Sequence, residues 1–282
     1  MHATHYSSPE PGGGKVTVRV RWRAIVSIAV VLVLTACAGE PPPADANDRI
    51  PQKPATAVQP APSIPPSPSP VPPPTGGSGS FTAGSGRGEV LGAGNKLIRY
   101  RIEVETGILW GENPVWTPAE FGTTVDKILG APQGWTESAQ HPVTNADVRL
   151  SNASWRFQRV DGTAYEVRLR LATPDTVDRE CGKVGLDTAG EHSCRSGQTI
   201  LINLKRWLNG AKEYPVTIDD YRAAVINHEV GHYLGFDHMN CPGPGKPGPI
   251  MMTQTINLQG CVPNVHPFLK DGTFPSGPWV QS

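Results

Sequence analysis

The chain carries the sequence His-Glu-Val-Gly-His-Tyr-Leu-Gly-Phe-Asp-His at residues 228–238, and this stretch constrains the fold more than any other. His228 and His232 are four residues apart, so a helix places both imidazoles on one face, one turn apart. Two imidazoles in that arrangement can bind a single metal ion. Glu229 lies beside that face, where its carboxylate can reach a metal-bound water but is poorly aimed at the metal itself.

A glycine and a third histidine complete the pattern. Gly235 predicts the end of the helix, because a left-handed residue at a helix C-terminus costs glycine nothing. The chain can then turn back and bring His238 to the metal. Three neutral imidazoles leave one position of a tetrahedral Zn²⁺ for water, as in catalytic zinc sites. The sequence therefore predicts one catalytic zinc ion with three histidine ligands and Glu229 as the general base. The alternative is an amphipathic core helix with incidental histidines.

Residues 228–238 resemble the zinc signature of the metzincin metallopeptidases, His-Glu-x-x-His-x-x-Gly-x-x-His. The resemblance implies a turn with a buried methionine beneath the metal, and residues 249–253 are the candidate, with Met251 in that position. Several metzincins have a tyrosine two residues later, where this chain has Thr253. Residues 97–267 also resemble a family of exported bacterial metzincin-like proteins of unknown substrate. That second resemblance rests on the Cys-Pro-Gly-Pro-Gly run at 241–245 and on the Gly260-Cys261 step.

Other ligand arrangements are less compatible with the sequence. Metallopeptidases with a glutamate as the third ligand need that glutamate downstream, and no glutamate follows Glu229. Asp237 remains an alternative ligand, although its position beside His238 favours a place at the rim of the site. The remaining candidates lack metal-binding spacing and are predicted to be surface or loop residues; they are His141, His192 and His266.

The N-terminal region is typical of an exported protein. Four basic residues precede a short apolar run at residues 24–36, whereas a membrane-spanning helix needs roughly 20 residues. The run ends in Leu-Thr-Ala-Cys, which resembles the lipobox of bacterial lipoproteins, so residues 1–37 are predicted to be a signal peptide with lipidation at Cys37. An ordinary signal peptide with an incidental Cys37 is the alternative. The protein is then expected outside the cytoplasm, anchored to the membrane by lipid or, without lipidation, secreted.

Residues 38–88 are predicted to be a disordered linker. Residues 41–75 contain 14 prolines, and such a segment cannot form a packed core. A Gly/Ser-rich stretch follows up to residue 88. The folded metzincin-like domain is predicted over residues 89–282.

Four cysteines besides Cys37 lie in that domain. Four cysteines allow three pairings, and we favour Cys181–Cys194 and Cys241–Cys261, because each closes a short, loop-rich segment. Free thiols or a zinc cluster are the alternatives. An exported protein meets an oxidising compartment, which favours disulfides.

The pattern of elements predicts an α+β fold. Strands are expected near residues 97–105, 154–160, 165–171 and 199–204, with Asp161-Gly162 as the turn of a hairpin between the second and third. Thr117 and Thr217 are predicted to cap two helices, the second of which is the zinc helix, and a short helix or turn is expected at 173–180. This order suits a twisted mixed sheet packed on helices, the layout of metzincins, with a small irregular C-terminal subdomain.

The function expected from the resemblance is hydrolysis of peptide bonds by a zinc endopeptidase, with a peptide or protein as substrate. The strand at 199–204, with Asn203, is a candidate for pairing with an extended substrate. Two alternatives remain: a zinc-stabilised binding domain without catalysis, and a hydrolase of cell-wall amides. Lys+Arg and Asp+Glu both total 25, and this balance lacks the basic footprint of a nucleic-acid-binding protein.

Overall fold

The structure is a computed structural model that describes residues 71–280. The predicted signal peptide, the lipidation site Cys37 and residues 38–70 of the predicted linker lie outside the described residues. Within residues 71–280, every helix is too short or too polar to cross a membrane.

The central strand shows how the sequence builds the sheet. In β3 (Lys96–Glu105), Ile98, Tyr100, Ile102 and Val104 alternate with polar residues and are buried, as expected for a strand with one face in the core. Most polar positions on the other face are arginines and glutamates, and Arg101 and Arg170 both pair with Glu103. One face of this strand is therefore packed in the core, and the other carries ion pairs.

The strands within residues 71–280 are β1 (Phe81–Ala83), β2 (Val90–Leu91), β3 (Lys96–Glu105), β4 (Val143–Asn145), β5 (Leu150–Ala153), β6 (Trp155–Arg159), β7 (Val167–Ala172), β8 (Cys194–Ser196) and β9 (Thr199–Asn203). Seven of them form the main sheet in the order β2-β6-β3-β7-β9-β8, with β1 also paired to β3. Strands β3, β6, β7 and β9 are parallel, whereas β1, β2 and β8 pair antiparallel with their neighbours. A second, two-stranded sheet pairs β4 with β5.

In the described part of the chain, four α-helices and one 3-10 helix accompany the sheets. They are α1 (Pro118–Leu129), the 3-10 helix Trp135–Ala139, α2 (Pro174–Gly182), α3 (Leu204–Asn209) and α4 (Ile218–Leu234). The main core lies between α1, α3, α4 and the inner face of the sheet, and it includes the fully buried indole rings of Trp135, Trp155 and Trp207. Between Leu234 and residue 280 the chain forms only two isolated β-bridges. The α+β class, the mixed sheet and the irregular C-terminal part are therefore confirmed.

The predicted hairpin around Asp161-Gly162 is wrong. Strands β6 and β7 lie on opposite sides of β3 and run parallel to it. They are staggered, because Arg159 and Val167 are both opposite Tyr100. Strand β6 ends, and β7 begins, at the level of Tyr100 in the middle of β3. A short loop that crosses β3 at this level therefore joins the two parallel strands without reversing the chain.

The fold begins earlier than residue 89. Residues 81–83 form β1 and pair with Glu103, Val104 and Glu105 of β3. The preceding glycines pack closely: the N–H of Gly79 donates to the Glu105 carboxylate at 2.7 Å, and a Cβ on Gly77 would lie 2.6 Å from that side chain. The Gly/Ser-rich composition predicts a flexible linker here, but Gly77 and Gly79 instead pack closely against Glu105.

Candidate metal centre

Helix α4 begins and ends where the sequence predicts. The Thr217 side chain accepts a hydrogen bond from the Asp220 N–H, and Asp219 and Asp220 lie in the first turn, where they complement the helix dipole. Gly235 follows the last helical residue with φ 105° and ψ 4°, and its N–H donates to the carbonyls of both Gly231 and His232. This left-handed residue turns the chain back towards the helix.

The three histidines converge. The Nε2 atom of His232 lies 3.1 Å from that of His228 and 3.2 Å from that of His238. One ligand atom from each residue lies within 4.8 Å of the others. Ligand atoms about 2.0–2.1 Å from a tetrahedral zinc ion are about 3.3 Å from one another. The spacing therefore fits one metal ion.

Hydrogen bonds define the tautomers of two of these rings. The Nδ1 of His228 lies 2.8 Å from the carbonyl oxygen of Ile250. The Nδ1 of His232 lies 3.0 Å from the carbonyl oxygen of Phe236. A carbonyl only accepts, so each Nδ1 carries the proton and each Nε2 presents a lone pair. Two lone pairs 3.1 Å apart repel each other unless a cation lies between them. The donor set thus fits a metal cation, and the carbonyls are the orienting partners typical of metal-bound histidines.

Burial keeps these imidazoles neutral. It lowers the pKa of His228 to about 3 and that of His232 to about 4, with the neighbouring histidines adding to the effect. Burial also lowers the pKa of His238, against the opposing effect of Asp237. Neutral imidazoles are the form that binds a metal, so the ligands need no deprotonation near neutral pH.

Glu229 is a buried carboxylate with a free oxygen. It is 5% exposed, and its Oε2 has no hydrogen-bond partner among the described residues. Burial raises the pKa of Glu229 to about 8, while the charge of Arg195 lowers it. A cation held by the histidines would favour the ionised carboxylate. An unpartnered carboxylate oxygen is costly to bury, so its place beside the three histidines indicates a function rather than a contribution to stability.

The candidate methionine turn packs under α4. The Met252 N–H donates to the Pro249 carbonyl and closes the turn. Met251 is fully buried, and its Sδ lies so close to Gly231 that a Cβ there would be 2.2 Å away. The carbonyl of Ile250 in the same turn orients His228. Met251 therefore supports the helix beneath the histidines and does not line the cleft beside them.

The site opens into a cleft of about 490 Å³. One wall comes from residues 186–188 and 192–195, and the other from α4, residue 250 and residues 252–256. Tyr214 and Tyr221 add aromatic surface to it. His192 belongs to the cleft wall, although the sequence predicts only a surface or loop position for it. Arg195 and Tyr214 had no signal in the metal-binding motif, because topology alone brings them to the cleft. Tyr221 did have one, because it lies seven residues before His228 on α4 and therefore on the same face of that helix.

The edge of the sheet beside the cleft is β8. The sequence predicts that the strand at 199–204 could receive a substrate, and this is wrong because β9 is paired on both sides, with β7 and β8. Asn203 is fully buried and caps α3 by accepting from the Lys205 N–H. A sequence signal for β8 existed: Gly197-Gln198 separates it from β9 by two residues, and glycine at the first position is typical of a hairpin turn.

Both predicted cysteine pairs lie at disulfide-bonding distance. Cys181–Cys194 links α2 to β8, and Cys241–Cys261 links the segment after His238 to a later loop. One disulfide therefore joins α2 to a wall of the cleft, and the other closes a loop that begins three residues after His238. Such bonds are compatible with a location outside the cytoplasm.

Fold and site together define a mixed α+β domain with a three-histidine cluster that could hold a metal ion. The family model described as "Protein of unknown function (DUF3152)" matches residues 67–275, and the chain belongs to that family. Comparison with curated proteins finds no match, and comparison with solved structures finds none.

Proposed function

We propose that this protein is a zinc-dependent endopeptidase with a metzincin-like fold, which hydrolyses peptide bonds outside the cytoplasm. The observation that carries the proposal is the unpartnered oxygen of the buried Glu229 beside the three convergent Nε2 atoms. A site that held a metal only for stability would gain nothing from an unpaired buried carboxylate. The closely packed turn around Met251 supports the metzincin-like assignment.

The residues have distinct tasks in this mechanism. His228, His232 and His238 would hold zinc, which when bound lowers the pKa of a water ligand to about 7 and polarises a carbonyl group. Glu229 accepts a proton from the attacking water as the water oxygen bonds to the carbonyl carbon. It then donates that proton to the amine nitrogen as the C–N bond breaks. The products are a carboxylic acid and an amine, so atoms and charges balance.

The cleft wall favours an extended substrate. The hairpin of β8 and β9 has a two-residue turn, so Ser196 and Thr199 form the hydrogen-bonded pair that closes it. Pairs alternate along an antiparallel ladder, so the N–H and carbonyl of Arg195 point away from β9. We therefore propose that a peptide pairs with Arg195 along the outer edge of β8.

The test compares wild-type protein with Glu229→Gln, both loaded with zinc, on a mixed peptide library read by mass spectrometry. The variant keeps the size of the side chain but cannot accept the proton, so its turnover should fall by about 10²–10⁴ while its zinc content stays the same. Glu112→Gln, on an exposed loop, is the matched control and should cleave like the wild type.

Three outcomes would contradict the proposal. Equal turnover by Glu229→Gln would remove the proposed base. A wild-type protein that binds zinc but cleaves nothing would favour a binding domain. Cleavage of cell-wall amides without cleavage of library peptides would favour the cell-wall hydrolase.

A further inference from the structure

The third histidine lacks the support that the other two have. His228 and His232 each bond a backbone carbonyl through Nδ1. Among residues 71–280, the only ring contact of His238 within hydrogen-bond distance is the one from its Nε2 to His232. His238 also follows the end of α4, so no helix fixes its backbone. Something else must hold this ligand in place.

Its backbone is held by a neighbouring segment, residues 277–280, which we call the strap. The Val280 N–H donates to the His238 carbonyl at 3.0 Å, and the Asn240 N–H donates to the Pro278 carbonyl at 2.7 Å. Trp279 and Met239 form an antiparallel bridge between these two bonds. The strap thus adds a short strand along His238 and the two residues that follow it.

The strap is anchored at both ends of this contact. The Trp279 Nε1 donates to Asp147 Oδ2 at 2.6 Å, in the connection between β4 and β5. At Gly277 the two backbones touch, because a Cβ there would lie 1.9 Å from the Asn240 carbonyl oxygen. Only glycine allows this approach. The family match ends at residue 275, so the strap lies just beyond the matched residues.

We propose that the strap positions His238 and thereby sets the affinity of the metal centre. The inference rests on the metal centre of the proposed function, but not on peptidase activity. Gly277, Trp279 and Val280 are positioning residues, since they act through the backbone of His238 and contact neither metal nor substrate. Loss of a partner that orients a metal ligand typically weakens metal binding 10–100-fold.

The experiment measures zinc affinity by competition with a chromophoric chelator and records the visible spectrum of the cobalt-substituted protein. Gly277→Ala should weaken zinc binding about tenfold or more and change the cobalt spectrum, because it displaces the backbone at His238. Gly162→Ala is the matched control, since its Cβ would meet no atom within 4 Å, and it should behave as wild type. The metal-free proteins should unfold at similar temperatures.

An unchanged zinc affinity and cobalt spectrum in Gly277→Ala would overturn the inference. If that variant fails to fold, Val280→Pro decides the question, because it removes the N–H that donates to His238 without adding a Cβ at the crowded Gly277. Val280→Pro should also weaken zinc binding and change the cobalt spectrum, and no change in either would overturn the inference. If the wild type binds zinc tightly, the strap variants weaken that binding and no peptide is cleaved, the proposed function is refuted and this inference stands. Conversely, peptide cleavage by the wild type together with an unaltered zinc affinity in both variants would support the proposed function and refute this inference.

Discussion

At the scale of single residues, the site depends on one contact between a sulfur atom and a helix backbone. Gly231 lies between the two histidines of α4, and Met251 fills the space that a side chain there would take. Trp135 closes the same space from another direction, and its Nε1 donates to the Asn227 carbonyl of α4. The histidine face of the helix is therefore supported from behind by Met251 and Trp135, neither of which lines the cleft.

Met251→Ala should destabilise the protein by about 2–5 kcal/mol, because it leaves a cavity under α4. Met251→Leu, of similar volume, should cost less than about 1.5 kcal/mol. Denaturant unfolding of both variants measures the difference. Met252→Leu, at the neighbouring buried position, serves as the control for a general loss of packing in the turn. Equal stability of Met251→Ala and wild type would contradict the packing assigned to Met251.

At the scale of elements, the free edge of β8 offers a test of substrate pairing. Arg195→Pro removes the outward N–H, so KM for a cleaved peptide should rise by about 2–10-fold, the equivalent of one hydrogen bond. Arg195→Ala keeps that N–H and isolates the contribution of the guanidinium. Steady-state kinetics on one library-derived peptide distinguishes the two. A KM that is unchanged in Arg195→Pro, in a folded variant, would mean that the substrate does not pair at this edge.

The sequence predicted those parts of the fold that local chemistry decides. Thr217 and Gly235 define the two ends of α4, because a cap and a left-handed residue act within a few residues. The placement of His228 and His232 follows from helical spacing, and that of His238 follows from the turn at Gly235. The partners of β6, β7 and β9 were not predictable in this way, because pairing joins residues far apart in the chain. The place of Arg195 in the site was not predictable either, because it depends on which strand forms the edge of the sheet. The Nδ1 bonds of His228 and His232 likewise require knowledge of where Ile250 and Phe236 lie in space.

At the scale of the whole molecule, the two disulfides are expected to differ in function although both stabilise. Removing either pair by double alanine substitution should cost about 2–4 kcal/mol, measured by unfolding with and without reductant. Loss of Cys241–Cys261 should also weaken zinc binding, because Cys241 lies three residues after His238. Loss of Cys181–Cys194, on α2 and β8, is the matched control and should leave zinc affinity unchanged. Equal effects on affinity would mean that neither bond supports the ligand loop selectively.

The bond between Trp279 and Asp147 joins residues 132 apart in sequence, and it has a consequence for the order of events in time. A chain synthesised from its amino end presents His228 and His232 well before the residues that hold His238. A nascent chain therefore has His228 and His232 in place while His238 is still unanchored. If the proposed metal centre forms, it reaches its full affinity only at the last step of folding, after residues 277–280 have been synthesised, and a truncated chain binds metal weakly.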